Sequence, residues 1–259
     1  MNIIEEMQIA GLTCSLYLPK NYNSTQEHYP VIYVNGEIPL DEVVNEVKKV
    51  GVAAEFLLLS VQPSNWNDDF TPWSAPAFRK GEMDPAGKAD EYILRLTKEI
   101  KSYIDTNYRT KSEPEHTVLL GYSLGGLAAL YSIYMTDVFG VIGSLSGSLW
   151  YDNFCEFMEK EQPLRTDLQV YLSLGKKECL SKNPRMSRVA DCTERAREIL
   201  VRQLSVSTDN AKDDTQNIRI NGQSDNSVDN VFFEWNEGGH FHEIPKRFAK
   251  AICSVKYRL

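Results

Sequence analysis

The sequence predicts an α/β protein with a mostly parallel central sheet, an antiparallel amino-terminal edge and helices on both faces. Short apolar runs, of the kind that parallel sheets bury on both faces, recur along the chain. They alternate with longer segments in which apolar residues have helical spacing. Only the start of the chain departs from this alternation, because two strand-like segments follow each other directly there. Since no internal repeat or linker interrupts the pattern, we expect one domain over residues 1–259.

The first half of the chain begins with a predicted hairpin. Residues 3–9 and 13–18 have polar residues interleaved with apolar ones, and the turn Ala10, Gly11 lies between them. This pattern is typical of an antiparallel pair at the edge of a sheet. The elements predicted next are a buried strand at 30–35, a helix at 40–50, a buried strand at 55–61, an aromatic loop at 63–85 and a helix at 89–108.

The aromatic loop contains four large rings, at Trp66, Phe70, Trp73 and Phe78. A loop this long and without periodicity inside a compact domain is usually functional. The alternative is that the rings only pack the loop onto the core. Sequence leaves both interpretations open for each ring.

The segment 117–135 predicts a strand, a sharp turn and a helix, with Ser123 on the turn. Residues 121–125 read GxSxG, and glycines at these positions let backbone segments approach where a Cβ would clash. Such a turn exposes a serine hydroxyl at the carboxyl end of a strand, beside the amides that open the helix. We interpret Ser123 as a nucleophile; the alternative is a glycine-rich turn without chemistry.

The second half of the chain continues the alternation. Its predicted elements are a strand at 139–145, a strand at 168–174, a helix at 188–204, a strand at 231–235 and a helix at 244–255. Between the last two of these strands, residues 205–230 are rich in Ser, Asp, Asn and Gln. This composition predicts a polar surface excursion that holds at most a short hairpin.

A serine nucleophile needs a base, and the chain has four histidines. His28 and His116 precede strands, so we expect them at the amino-terminal edge of the sheet, away from Ser123. His240 follows the last strand on a Gly-Gly turn and is favoured over His242, which lies near the start of a helix. The alternatives are a surface histidine and a metal half-site of His240, His242 and Glu243. No third cluster with ligand spacing supports that half-site.

The base in turn needs a carboxylate, which we expect in the loop after the strand at 168–174. Glu178 is the first acid in that loop, beside two lysines. Asp191 and Glu194 are the alternatives, although their positions favour a helix. A solvated loop carboxylate is the structural alternative for Glu178.

The formal net charge of −8 argues against nucleic acid or an anionic membrane surface as partner. The amino terminus has two acids where a signal peptide would carry positive charge, and no apolar run is long enough to span a bilayer. The five cysteines are odd in number and never form a CxxC pair, which favours free thiols. We therefore expect a cytoplasmic protein; the sequence does not indicate its oligomeric state.

Five segments together resemble the Putative esterase family of α/β hydrolases, which includes enterochelin (siderophore) esterases and esterase D, also called S-formylglutathione hydrolase. These segments are GYSLGG at 121–126, WNDDFTPW at 66–73, SGSLW at 146–150, GKKE at 175–178 and EWNEGGHF at 234–241. The resemblance implies an α/β-hydrolase fold and cleavage of a carboxylic ester through an acyl-enzyme. It implies Ser123 as nucleophile, Glu178 as acid and His240 as base.

The resemblance also implies the groups around the reacting ester. The oxyanion donors would be the Leu124 amide and the loop at Gly36 and Glu37. Ser148 and Trp150 match a family segment, usually SPSxW, that lines the acyl pocket.

Gly147 replaces the proline of that family segment. We expect Tyr122 and Trp73 to contact the substrate as well, and no metal or organic cofactor to be required.

Three alternatives remain for the function. The substrate is a simple ester, a siderophore trilactone or a thioester, each a small molecule. A different class of function is a hydrolase-like domain that merely binds an aromatic ligand through Trp66, Trp73 and Trp150. A binder has no need of an activated serine, so labelling by a fluorophosphonate separates the two classes.

Overall fold

A computed structural model of the protein describes residues 3–53, 55–204 and 230–254. The excursion predicted at 205–230 lies outside the described residues, except for Asn230. The strands of the described chain are β1 (Ile3–Ile9), β2 (Leu12–Leu18), β3 (Val31–Asn35), β4 (Leu57–Val61), β5 (Thr117–Tyr122), β6 (Val141–Leu145), β7 (Gln169–Gly175) and β8 (Val231–Asn236).

These strands form one sheet in the order β1-β2-β4-β3-β5-β6-β7-β8. The β1–β2 and β2–β4 pairings are antiparallel, and all pairings from β4 to β8 are parallel. The mostly parallel sheet with an antiparallel amino-terminal edge is thus confirmed. The carboxyl ends of β5, β7 and β8 therefore lie at the same edge of the sheet.

Helices lie in the connections between the parallel strands, and one more follows the last strand. They are α1 (Leu40–Lys49), α2 (Trp66–Asp69), α3 (Ala89–Arg95), α4 (Lys101–Asn107), α5 (Leu124–Tyr131), α6 (Phe154–Lys160), α7 (Val189–Leu204) and α8 (Ile244–Ser254). A π-helical turn, Leu96–Ile100, joins α3 to α4, so the helix predicted at 89–108 is one continuous element. Helices α2 and α6 are not predicted by the sequence analysis. None of the described helices has the length and apolar character needed to cross a membrane.

The two faces of the sheet bury separate apolar clusters. Along β3, Val31 and Tyr33 belong to one cluster and Ile32 and Val34 to the other, as alternation along a strand requires. Helices α1 and α8 pack against each other and cover the second cluster, whereas α5, α6 and α7 contribute to the first. This arrangement confirms the prediction of helices on both faces.

Candidate active site

The turn between β5 and α5 is a strained elbow with Ser123 at its tip. Ser123 has φ 58° and ψ −122°, a conformation that a residue with a Cβ rarely adopts. A Cβ on Gly121 would lie 2.0 Å from the Gly125 carbonyl oxygen, and one on Gly125 would lie 2.7 Å from the Asn35 carbonyl oxygen. Both glycines of the GxSxG segment are therefore required for the close approach of backbone that the sequence analysis expects.

Asn35, at the end of β3, holds this elbow in place. Its buried amide donates to the Gly125 carbonyl at 3.0 Å, and its Oδ1 accepts the hydroxyl of Tyr92 at 3.0 Å. The first turn of α5 is thereby tied to the neighbouring strand and to α3. Sequence analysis does not predict this contact because Asn35 and Gly125 are far apart along the chain.

Ser123, His240 and Glu178 meet at the carboxyl edge of the sheet. The His240 Nε2 atom lies 3.0 Å from Ser123 Oγ, and His240 Nδ1 lies 2.7 Å from Glu178 Oε2. These are hydrogen-bond distances, so one imidazole joins the hydroxyl to the carboxylate. The arrangement allows the serine to pass its proton to His240 while Glu178 fixes the ring and stabilises its charged form.

Glu178 is a buried carboxylate with several donors. Its Oε1 atom accepts hydrogen bonds from Ser146 Oγ at 2.7 Å, from the Gly175 amide at 2.7 Å and from Arg247 Nη1 at 2.8 Å. Burial raises the pKa of Glu178, but the hydrogen bonds from His240, Ser146 and Arg247 outweigh it and hold the pKa at about 2. Glu178 therefore remains an ionised acceptor in neutral solution.

The alternative acids and histidines lie elsewhere. Asp191 and Glu194 are exposed on α7, where Glu194 pairs with Arg197 at 3.1 Å. His116 closes a short turn immediately before β5, at the amino-terminal end of the sheet as expected. His242 Nδ1 lies 3.6 Å from Glu243 at the surface. Among the described residues, no three His, Cys, Asp or Glu side chains are grouped so that they could hold a metal ion, at His240 and His242 or elsewhere.

A cleft of about 390 Å³ opens above Ser123. Its lining combines aromatic and aliphatic side chains with at least as many polar or charged ones, so apolar contact area and convergent polar groups meet in one small-molecule site. The lining residues are Trp66, Asn67, Phe78, Arg79, Glu82, Ser123, Leu124, Ser146, Ser148, Trp150, Glu178, Ser181, Met186, Val189, His240 and Phe241. Ser148 and Trp150 both line this cleft, and Ser148 Oγ is 3.4 Å from Ser123 Oγ; their role in the acyl pocket stays a prediction.

Two predicted substrate contacts need correction, because Tyr122 and Trp73 do not line the cleft. The Tyr122 hydroxyl donates to the His240 carbonyl and accepts from Arg247 Nη1, so this ring supports the histidine from behind. The Trp73 indole donates to the Asp152 carbonyl at 2.9 Å and packs in an aromatic cluster. Both side chains are structural in this arrangement.

The predicted oxyanion donors are also partly corrected. The Gly36 amide donates to the Val61 carbonyl at 2.9 Å, so it is committed to the sheet. The Glu37 amide is then the remaining candidate from that loop. Leu124 begins α5 and lines the cleft, and the first amides of a helix have no partner within the helix. Leu124 and Glu37 stay predictions.

The aromatic loop divides its rings between core and cleft. Phe70 is fully buried and packs edge-on against Tyr92, whereas Trp66 and Phe78 face the cleft. Asn65 caps α2 with its side chain, which fixes the direction in which Trp66 points. Phe241, exposed beside the His240 ring, is a lining residue that sequence analysis missed.

The sequence profile of the Putative esterase family matches residues 10–216. The chain belongs to this family. As a member, it is a carboxylic ester hydrolase. YbbA, an uncharacterized protein of Bacillus subtilis (strain 168), is 29% identical over 182 residues, which cover 68% of this chain and 72% of YbbA.

Two solved structures with a similar fold come from hydrolases. An IroE-like serine hydrolase from Shewanella oneidensis has a TM-score of 0.72 and 16% identity, with 99% of this chain and 79% of that chain covered. The siderophore hydrolase EstA from Aspergillus nidulans has a TM-score of 0.65 and 16% identity, with 98% and 94% covered. At such low identity the likeness concerns the fold, and it confirms the predicted α/β-hydrolase architecture.

Proposed function

We propose that the protein is a serine esterase that cleaves carboxylic esters of small molecules through an acyl-enzyme. The observation that carries this proposal is the continuous hydrogen-bonded chain from Ser123 through His240 to Glu178, at the floor of the cleft. A domain that only binds an aromatic ligand would have no use for this chain. In this proposal Ser123 supplies the nucleophile, His240 the base and Glu178 the acid.

In the first half of the reaction, His240 Nε2 takes the proton of Ser123 as its Oγ attacks the acyl carbon. The carbonyl oxygen becomes negative and is held by the Leu124 and Glu37 amides. Each such donor contributes about 3 kcal/mol of barrier lowering, or roughly 10² to 10³ in rate. When the tetrahedral species collapses, the C–O bond to the alcohol breaks and His240 gives its proton to the leaving oxygen.

In the second half, water replaces the alcohol. His240 takes a proton from the water, whose oxygen attacks the acyl carbon, and returns the proton to Ser123 Oγ as the acid product leaves. Glu178 accepts a hydrogen bond from His240 Nδ1 throughout and stabilises the imidazolium that forms in each half. Its low pKa suits this role, because the carboxylate must remain unprotonated.

The cleft favours an ester with an aromatic group. Trp150 and Phe78 stand edge-to-face with centroids 5.6 Å apart on one side of Ser123. Arg79 is the one arginine or lysine among the lining residues, and its Nη1 atom lies 3.9 Å from Glu82, which offsets its charge. Arg185, the other cation beside these rings, is held by Asp152 at 2.8 Å.

A neutral aryl or aromatic acyl ester therefore fits better than a highly anionic ferric siderophore. A siderophore lactone is the second candidate, supported by the similarity of fold to a siderophore hydrolase.

A fluorophosphonate probe tests the nucleophile directly. It reacts with a serine whose hydroxyl is deprotonated by a neighbouring base, so we expect one covalent adduct, located on the peptide that contains Ser123 by mass spectrometry. The Ser123→Ala variant is expected to take up no probe. Failure of the folded wild-type protein to react, or an adduct on another serine, would contradict the proposal.

Trp150→Ala tests the aromatic substrate class. Losing one face of the ring pocket is expected to raise KM for phenyl-substituted esters by about 3- to 10-fold, the effect of one aromatic contact, with little change in kcat. Esters of short alkyl acids should change less. Trp235→Ala, on the exposed edge strand β8, is the control for loss of a tryptophan. Equal losses for aromatic and alkyl esters, measured by steady-state kinetics, would argue against an aromatic subsite.

A further inference from the structure

Arg247 is a buried cation outside the cleft. It lies in the first turns of α8, and only 1% of its surface is exposed. A buried guanidinium loses its hydration, and this cost is offset only when good partners surround it. Arg247 makes no lining contact with the cleft, so substrate binding does not explain its position.

One end of the guanidinium contacts the acid of the site. Arg247 Nη1 lies 2.8 Å from Glu178 Oε1, 2.5 Å from Ser146 Oγ and 3.0 Å from the Tyr122 hydroxyl, so its two N–H groups are shared among these three acceptors. Glu178 therefore uses its two oxygens differently, with Oε2 facing His240 and Oε1 facing Arg247. The guanidinium fixes the rotation of the carboxylate and, with it, the position of the oxygen that receives the imidazole.

The other end of the guanidinium contacts the turn that carries the base. Arg247 Nη2 donates to the Gly239 carbonyl at 2.8 Å and to the Glu237 carbonyl at 3.2 Å. The Tyr122 hydroxyl, itself held by Arg247, donates to the carbonyl of His240. The backbone before His240 and at His240 is thus anchored, directly or through Tyr122, to the same side chain that orients Glu178.

The backbone leaves room for this contact. A Cβ on Gly175, the last residue of β7, would lie 2.7 Å from both Arg247 Nη2 and Glu178 Oε1. Any larger residue there would push the guanidinium and the carboxylate apart. The planar fork of arginine reaches both partners at once, which the single ammonium of lysine cannot do with the same geometry.

We propose that Arg247 is a positioning residue for ester hydrolysis, which holds Glu178 and the His240 turn in the arrangement that the reaction needs. This inference rests on the proposed serine mechanism. Arg247 touches neither the substrate nor Ser123, so it acts through the acid and the base.

The charge of Arg247 has an effect separate from its geometry. Removing the cation beside Glu178 makes an added proton less unfavourable at the site, because a positive neighbour repels it. The other ionisable groups near Arg247 are Tyr122 and, further along the sheet, Tyr171. The Tyr171 hydroxyl donates to Glu234 at 2.7 Å, and Glu234 also pairs with Lys250. Burial raises the pKa of Tyr122 to about 12 and that of Tyr171 further, so both hydroxyls stay neutral in the assay range.

The experiment compares Arg247→Met with Arg247→Lys in the full-length protein, using a short p-nitrophenyl ester. Arg247→Met is expected to lower kcat by about 10- to 100-fold, as loss of an outer partner of a reacting group does, with KM changed less than about 3-fold. Arg247→Lys, which keeps the charge, should recover part of the loss. Arg195→Met is the matched control, because it removes an arginine that pairs only with surface carboxylates, Glu156 and Glu159.

Two readouts separate positioning from a general loss of structure. The acid limb of the kcat/KM profile is expected to move up by about 1 pH unit in Arg247→Met and to stay near its wild-type position in Arg247→Lys. The double variant Arg247→Met, Glu178→Gln should be far faster than the product of the two separate losses predicts, because Arg247 acts in part through Glu178.

The inference would be overturned if the loss of kcat in the double variant equalled the product of the two separate losses. An Arg247→Met enzyme with wild-type kcat would overturn it as well. If Arg247→Met does not fold, Arg247→Lys decides: a wild-type kcat in this variant would overturn the inference equally, because a lysine ammonium cannot reproduce the geometry of the guanidinium fork. Fluorophosphonate labelling of the wild-type protein keeps the two proposals distinct. A labelled Ser123 with an insensitive Arg247 refutes only the positioning role.

Discussion

Replacing Ser123 with alanine is expected to lower kcat/KM for a short p-nitrophenyl ester by about 10⁴-fold or more. The hydroxyl is the attacking group, and no other described serine combines the elbow geometry with a hydrogen bond to His240. The Michaelis complex should still form, since the cleft walls are unchanged. Steady-state kinetics with a sensitive chromogenic ester measures the effect.

Ser102→Ala, at an exposed position on α4, is the control for this change. The melting temperature of Ser123→Ala should stay close to that of the wild-type protein, because the two hydrogen-bond contacts of the hydroxyl, with His240 and Ser148, are only partly buried. Substantial turnover by a folded Ser123→Ala protein would require a different nucleophile.

Replacing His240 with alanine is expected to lower kcat by about 10⁴-fold, and replacing Glu178 with alanine by less, about 10² to 10³. The imidazole moves the proton in every step, whereas the carboxylate orients it and stabilises its charge. His242→Ala is the matched control, since this histidine is half-exposed and does not line the cleft.

The ranking of these variants is the informative result. If Glu178→Ala kept the wild-type kcat, a carboxylate other than Glu178 would have to be the acid, despite the 2.7 Å contact between Glu178 Oε2 and His240 Nδ1. A His242→Ala loss as large as that of His240→Ala would mean that the turn, and not one imidazole, is what the reaction requires. The same p-nitrophenyl assay, run at equal concentrations of folded protein, gives the rates of the wild-type enzyme and of the three variants.

The sequence predicts the parts of the molecule whose signals are local. One continuous stretch around Ser123 contains a strand, the elbow and a helix. The glycines of the elbow indicate its sharp turn. The acid and the base follow from chain order, because each comes shortly after one of the last two predicted strands. Parallel strands end at one edge, so the predicted sheet places the turns that carry Glu178 and His240 at the same edge as Ser123.

The sequence does not predict features that depend on contacts between distant segments. Trp66 and Phe70 lie four residues apart and pack edge-on against each other, yet Trp66 is exposed at the cleft whereas Phe70 is fully buried against Tyr92 of α3. The commitment of the Gly36 amide to Val61 is visible only in the register of β3 and β4. Arg247 has no motif at all, and its role depends on where α8 packs.

The reacting groups and the cleft walls come from different stretches of chain. The elbow and the turns after β7 and β8 carry the chemistry, whereas the aromatic loop and the turn before α7, with Phe78 and Met186, shape much of the space above it. Substitutions in those walls leave the proton pathway untouched. New substrate preferences are therefore accessible to selection or design one side chain at a time, without rebuilding the chemistry underneath.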